Sequence, residues 1–236
     1  MRFHIVTIFP DFFRGPFEHG VVAKAVDAGI LEIRIHDLRD WTFDRHRTVD
    51  DRPFGGGEGM LMKPGPLFLA VGSIWPERGT DRRVALLSAS GRKFDQGLAR
   101  EYASLKELML ICGRYEGVDE RVSERLVDDE ISIGDFVLSG GELAAAVVVD
   151  TVARLLPGVL GNQDSTVNES FGSADEAGLD CPQYTRPAEF RGWKVPAELL
   201  SGNHADIRKW RKQAALDKTA RLRPDLLRDS NKEVTR

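Results

Sequence analysis

Three segments of this 236-residue chain combine glycine-enabled backbone freedom with polar side chains. Residues 112–121 read CGRYEGVDER. Gly113 and Gly117 permit a tight turn, and Arg114, Tyr115 and Glu116 between them offer a cation, a stacking face and a carboxylate in succession. Such a set suits a nucleotide or a base; the same composition also describes a strand-to-helix turn with exposed polar residues. Residues 132–142 read SIGDFVLSGGE, an apolar stretch passing into Gly140 and Gly141. Backbone amides and carbonyls around that turn can bind the edge of an adenine without a charged side chain. This fits a cationic sulfonium cofactor better than a triphosphate, which calls for Lys or Arg; an ordinary tight βα turn has the same pattern. Residues 52–63 read RPFGGGEGMLMK. Gly55, Gly56, Gly57 and Gly59 let backbone approach a ligand closely, yet no Gly-Lys-Ser/Thr follows as a P-loop requires, and the segment does not sit directly after the first strand as a dinucleotide fingerprint should. A mobile surface loop fits it as well as a binding loop. Asp150 and Arg154 stand four residues apart, either as a surface ion pair contributing roughly 0.3–0.5 kcal/mol or as a helix-end cation reaching into an active site.

These loops need elements to hold them. Residues 3–9 alternate, are rich in β-branched and aromatic types and stop at Pro10, which predicts a first strand. Pro16 is expected to open a helix with Val21, Val22, Ala25 and Val26 as its apolar stripe, closed by Gly29. Residues 30–38 form a second alternating strand, and 84–88 and 108–112 are short apolar runs of the buried parallel kind. Helical spacing occupies 95–105, Asp119 caps a helix through Leu126, 131–138 returns to strand, and 143–156 is an apolar helix ended by Pro157-Gly158. Strand and helix in alternation predict an α/β domain with a mostly parallel sheet over residues 1–160. Residues 161–178 are polar and rich in Ser and Asn, an interdomain linker expected to be flexible. Residues 179–236 read as a small helical domain, its main helix beginning at Ser201.

The net charge of −4 conceals an asymmetry: residues 186–236 carry 13 Lys or Arg against 7 Asp or Glu, so the rest of the chain is strongly acidic. A basic tail suggests a polyanionic partner, although a solvated helix face gives the same count. No run approaches the ~20 apolar residues of a membrane span, and no secretory segment opens the chain, so a cytosolic protein is expected. Cys112 and Cys181 stand alone and the five histidines are scattered, which argues against a disulfide or a histidine-built metal site.

Six stretches, RPFGGGEGMLMKP, CGRYEGVDER, SIGDFVLSGGELA, RLLPGVLGN, LDCPQYTRP and VPAELLSGNHADIRKWR, closely resemble the bacterial tRNA (guanine-N1)-methyltransferase family, TrmD, of the SPOUT superfamily, in the family's order and over nearly the whole chain. The resemblance implies a trefoil-knotted first domain, an arrangement that general topology rules rank as very improbable, and a homodimer with active sites built from both subunits. It implies S-adenosylmethionine held largely by backbone at Gly113 and at Ile133, Gly134, Asp135, Phe136, Val137 and Leu138, with Ser88, Gly91, Ser132, Gly140 and Gly141 nearby and Tyr115 and Glu116 beside cofactor and target base. It implies methylation of guanosine 37 of tRNA, preferring a guanosine at position 36, and brings with it a Mg²⁺ requirement for which no ligand cluster is legible. Asp50, Arg114 and the glycines Gly55, Gly56 and Gly57 are then candidates for reading the target. His204, Arg208, Lys209, Arg211 and Lys212 would meet tRNA phosphate along the anticodon arm.

The chemistry follows from the target. N1 of guanine carries a proton at neutral pH, so a carboxylate must accept it as the methyl moves, and a guanidinium would stabilise the negative charge developing toward O6. In the family these are an Asp in a linker Asp-Ser-Phe and an Arg matching Arg154. This chain reads NESF, which places Glu169 in the role of the base. The linker is three residues longer than the usual form between Glu169 and Asp180, Asp164 or Asp180 could substitute, and Asp180 otherwise supports the linker. Ala89 replaces a frequent Pro beside the cofactor site. Two rivals are a SPOUT enzyme acting on a ribose 2′-hydroxyl, whose motifs differ from CGRYEGVDER, and an RNA-binding protein with a dead cofactor pocket, favoured by Glu169 alone. A P-loop nucleotidase fails for want of its lysine.

Overall fold

Residues 107–112 are buried without exception, and they form the central strand of a sheet covered on both faces. In a computed structural model, which describes residues 1–161, 169–172 and 178–229, the chain divides into two units, Met1–Gly161 and Asn162–Arg236. The first contains, in order, β1 (Arg2–Thr7), α1 (Gly20–Asp27), β2 (Glu32–Asp37), β3 (Asp50–Asp51), β4 (Leu61–Met62), α2 (Pro64–Ile74), β5 (Arg82–Lys93), α3 (Gln96–Ala103), β6 (Glu107–Cys112), α4 (Glu120–Arg125), β7 (Asp129–Ser132) and α5 (Glu142–Ala153). Strands β2-β1-β6-β5-β7 lie side by side in that order, every pair parallel. The α/β class with a parallel sheet is therefore as expected.

Alternation along these strands divides the core in two. Phe3, Ile5, Ala85, Leu87, Leu108 and Leu110 point to one face, where they meet Val22 of α1, Leu98 and Tyr102 of α3 and Val148 and Val152 of α5. Val6, Val84, Leu86, Met109 and Ile111 point to the other, against Leu67 and Val71 of α2 and Val122 of α4. Burial on both faces is why the strands read as continuous apolar runs.

Several boundaries differ from the sequence expectation. Pro16 does not open a helix: Gly15 at φ 97° turns the chain, and α1 starts at Gly20. The strand expected over 131–138 stops at Ser132, where the Ser132 hydroxyl donates to the Gly134 carbonyl (3.0 Å) and Gly134 takes φ 156°, so that the apolar residues beyond it form a loop. Helix α2 is not legible in the sequence because Pro64, Gly65, Pro66 and Gly72 punctuate it; prolines at the first turn are compatible with a helix. Asp119 caps α4 as expected, accepting from the amide of Arg121, and Asp95 caps α3 in the same way, accepting from the amide of Leu98.

The second unit carries a hairpin, β8 (Glu189–Phe190) and β9 (Trp193–Lys194), followed by α6 (Ala197–Leu200), α7 (His204–Leu222) and α8 (Pro224–Asp229). Arg191 and Gly192, both at positive φ, make the two-residue turn. Ser201 ends α6 rather than beginning α7; the cap is Asn203, whose side-chain oxygen accepts from Ala205 N–H at 3.0 Å. Thr219 of α7 is buried, and its hydroxyl oxygen accepts from Leu179 N–H at 3.0 Å.

Candidate active site

Strand β5 pairs with β7 twice. Leu87 is registered with Ile131, the chain then leaves the sheet, and Arg92 returns to the same Ile131. Residues 88–91 form the excursion, and it closes only because Gly91 lacks a side chain: a Cβ there would strike the backbone of Glu130 and Ile131. Two more glycines bring neighbouring chain segments together. A Cβ on Gly141 would lie 2.7 Å from Cys112 Cα, and one on Gly113 would lie 3.0 Å from the Leu87 carbonyl oxygen. Leu87 in the middle of β5, the carboxyl end of β6 and the start of α5 are thus brought into close contact, at the edge where open α/β sheets bind ligands.

Around this junction lies a cavity of about 290 Å³. The excursion contributes Ser88, Ala89 and Ser90; the turn after β6 contributes Gly113, Arg114, Tyr115 and Glu116; the segment after β7 contributes Ser132, Ile133, Gly134, Phe136, Val137, Leu138, Gly140 and Gly141. Of the candidate cofactor residues, Gly91 and Asp135 lie outside the lining: Gly91 shapes it from behind, and Asp135 is exposed. Leu86, Leu87, Ile133, Leu138 and Ala144 supply apolar wall, and Glu116, Glu120 and Glu130 supply carboxylates.

Arg114 is the cation in the lining, and its guanidinium is occupied. Nε and one terminal nitrogen each lie 3.0 Å from Glu142 Oε2, and the other donates to the Ser139 carbonyl at 2.9 Å. Glu142, at the first turn of α5, is 1% exposed, and its second oxygen accepts from the Thr7 hydroxyl at 2.8 Å. The cavity therefore keeps its negative balance. A backbone-lined, partly apolar, acidic cavity suits a ligand that joins an aromatic base to positively charged sulfur and ammonium groups.

Tyr115 sits at φ 62° and is half exposed, with its hydroxyl held above the usual phenol range first by burial and then by the Asp50 carboxylate. Asp50 belongs to β3, paired with Met62 of β4, and β4 is tied to the 116–119 turn: Met62 N–H donates to the Gly117 carbonyl and Asp119 N–H to the Met62 carbonyl, both at 3.0 Å. The glycine loop is thereby anchored at its base beside Glu116, while Gly55, Gly56 and Gly57 are exposed at φ 84°, 82° and 130° and lie outside the cavity lining.

Arg154 is half-buried as the C-cap of α5, its amide bonded to the Asp150 carbonyl. In the second unit Glu169 is half-buried, and its carbonyl accepts from Gly172 N–H at 2.9 Å. Asp180 is linked to that segment through its amide, which donates to Ser170 Oγ at 2.9 Å. His204, Arg208, Lys209, Arg211 and Lys212 are exposed on α7. Asp164 lies outside the described residues. Among the described residues no group of three His, Cys, Asp or Glu side chains converges as a metal site would, and no helix is long and apolar enough to cross a membrane. Sequence reading missed Glu142, Thr7, Glu120 and Glu130; the first two are 135 residues apart and carry no local signal of their contact.

The family model described as tRNA (Guanine-1)-methyltransferase TrmD matches residues 1–229. The chain belongs to that family. Similar TrmD relatives, each named tRNA (guanine-N(1)-)-methyltransferase, occur in Koribacter versatilis (56% identical, covering 96% of this chain and 92% of the relative) and Geobacter sulfurreducens (53%; 96% and 91%). One from Dictyoglomus turgidum is 56% identical, with 96% and 90% covered. The TrmD match spans both units, so neither is an appendage peculiar to this chain.

Proposed function

We propose that the protein methylates N1 of guanosine 37 in tRNA, beside the anticodon, with S-adenosylmethionine as donor and a guanosine at position 36 preferred. The observation that carries this reading is the acidic, glycine-cleared cavity at the excursion of β5 and the carboxyl end of β6. When bound, S-adenosylmethionine supplies an electrophilic methyl group on a positively charged sulfur. Glu116, Glu120 and Glu130 give the cavity the charge such a ligand requires, and the backbone of 132–141 presents amides and carbonyls to its base. Tyr115, exposed at the rim, offers a face on which a purine can stack.

Glu169 accepts the N1 proton, and Arg154 faces the charge developing at O6. A carboxylate in hydrogen-bond reach of the proton it removes contributes typically ~10²–10⁴-fold to rate. The bond from Asp180 N–H to Ser170 Oγ supports the segment bearing Glu169. Residues 161–178 serve as linker between a cofactor domain (1–160) and a tRNA-binding domain (179–236), in which the exposed cations of α7 meet phosphate. A homodimer completes the site: Leu143 and Val147, one turn apart on α5, are 54% and 45% exposed and line an apolar groove with Pro16, Phe17 and Leu138.

The test is methyl transfer to tRNA transcripts with G or A at position 37, with the product mapped by nuclease digestion and mass spectrometry. Modification of G37 at N1, and none of A37, supports the reading. A methyl group on ribose, or equal use of both transcripts, refutes it.

A further inference from the structure

Arg114 stands in the middle of the cavity lining, where a cation would ordinarily be read as a substrate contact. Its bonds say otherwise. All three guanidinium nitrogens are engaged with protein oxygens, two with Glu142 Oε2 and one with the Ser139 carbonyl. The guanidinium carbon lies over the Phe9 ring, 4.6 Å from its centroid. The side chain also crosses Gly140 so closely that a Cβ at that position would overlap it. Gly140 has no positive φ to explain its glycine; room for Arg114 does. The backbone of the same two residues is bridged, and Gly141 N–H donates to the Gly113 carbonyl at 2.9 Å.

The anchor beneath is equally specific. Glu142 is 1% exposed, and removing either member of a buried pair leaves an uncompensated charge. Its free oxygen is taken by the hydroxyl of Thr7, itself fully buried at the end of β1, and that hydroxyl accepts from Phe9 N–H at 2.9 Å. One hydroxyl thus orients both the carboxylate that holds Arg114 and the aromatic ring beneath it.

We propose that Thr7, Glu142 and Arg114 act as positioning residues for the methyl donor: the relay fixes the Ser139 carbonyl and the Ser139–Gly141 backbone at the cavity rim, and Arg114 makes no contact with RNA. This rests on the donor site lying in that cavity.

The test uses the full-length protein with Thr7→Val, Thr7→Ser, Glu142→Gln and Arg114→Lys. Three quantities are read: calorimetric Kd for S-adenosylhomocysteine, hydrogen exchange at the Gly141 amide without ligand, and KM separately for donor and tRNA. Loss of a charge-assisted bond should weaken donor binding about tenfold or more in Glu142→Gln and Arg114→Lys. Exchange at Gly141 should accelerate, KM for donor should rise in parallel, and KM for tRNA should be unchanged. Thr7→Val should show the same signature, and Thr7→Ser, which keeps the hydroxyl, should restore wild-type binding. Should Glu142→Gln not fold, the Thr7 pair and Arg114→Lys still decide. A raised KM for tRNA with donor affinity intact would make Arg114 an RNA contact and overturn the proposal, as would equal behaviour of Thr7→Val and Thr7→Ser. Wild-type protein that binds no S-adenosylhomocysteine would instead overturn the donor site itself.

Discussion

Replacing Gly141 by Ala tests the junction on which the cavity depends. The new methyl would lie 2.7 Å from Cys112 Cα and 3.1 Å from both Gly113 N and Leu87 Cβ. Carbon pairs settle at about 3.5–4.0 Å, so relief requires a shift of roughly 1 Å. The nearest obstacles are backbone, and the end of β6 is pinned between β1 and β5. Overpacking of this kind costs about 1–3 kcal/mol, and the upper end is expected because no flexible side chain can swing away. For a unit of this size that is a fall in Tm of about 6–12 °C. Gly141 sits at φ −76°, so strain from a left-handed backbone contributes nothing. Gly141→Ser separates sterics from capping: serine is a better N-cap than alanine but carries the same Cβ, and it should be nearly as destabilised. Gly72→Ala is the opposing control, since Gly72 lies within α2 with nothing inside 4 Å; it should gain about 0.5–1 kcal/mol. Urea denaturation and calorimetric titration of S-adenosylhomocysteine read both effects. Gly141→Ala with wild-type stability and wild-type affinity would refute the close-contact reading of the junction.

Glu169→Ala should reduce single-turnover methyl transfer by about 10²–10⁴-fold, while Glu169→Asp, one methylene shorter, should keep most of it; an unimpaired alanine variant removes Glu169 as the base. Arg208→Glu and Lys209→Glu should each weaken tRNA binding, and the slope of log K against log salt should become shallower by about 1–2 units for each reversal, as loss or reversal of a phosphate contact implies; an unchanged slope removes those side chains from the interface. His36 is held down to about 4 first by burial and then by its neighbour His4, with Arg34 acting the same way and Asp40 opposing. A histidine whose folded value is depressed stabilises above the unfolded value of about 6.5 and loses that contribution as pH falls from there toward 4. Stability measured from pH 7 to pH 4 should therefore fall, and His36→Gln should flatten the fall; an equally steep loss in the variant would assign it to other groups.

The sequence made the frame legible where physics is local. Buried parallel strands must be apolar on both faces, which makes residues 84–88 and 108–112 recognisable, and Asp119 announces the helix it caps. The excursion after Leu87 was invisible, because a Ser-Ala-Ser-Gly stretch looks like the end of a strand and only its second pairing with Ile131 shows that the strand resumes. The loop after Ser132 reads like strand because its apolar residues line a cavity, with Ile133 and Leu138 also packed on the core. Gly113, Gly140, Gly141 and Arg114, which line the cavity, could be named in advance as candidates. Their reasons could not: Gly91 and Gly141 are fixed by backbone approaching from other strands, and Arg114 is fixed by Glu142, 28 residues along the chain.

The strand order has a bearing on how the protein is made. β6 occupies the slot between β1 and β5, although both of those precede it in the chain. With strands about 4.8 Å apart, β1 and β5 stand about 10 Å from each other in the finished sheet, and a ribosome-bound chain ending before residue 107 has nothing to hydrogen-bond in that slot. Such a nascent chain carries the β1–β2 pair with a bare inner edge and β5 as a strand bare on both sides, since β7 also follows residue 107, the kind of surface that recruits strands from other molecules. Keeping those edges apart until the last-synthesised partner arrives is a burden that a sheet grown outward strand by strand does not carry.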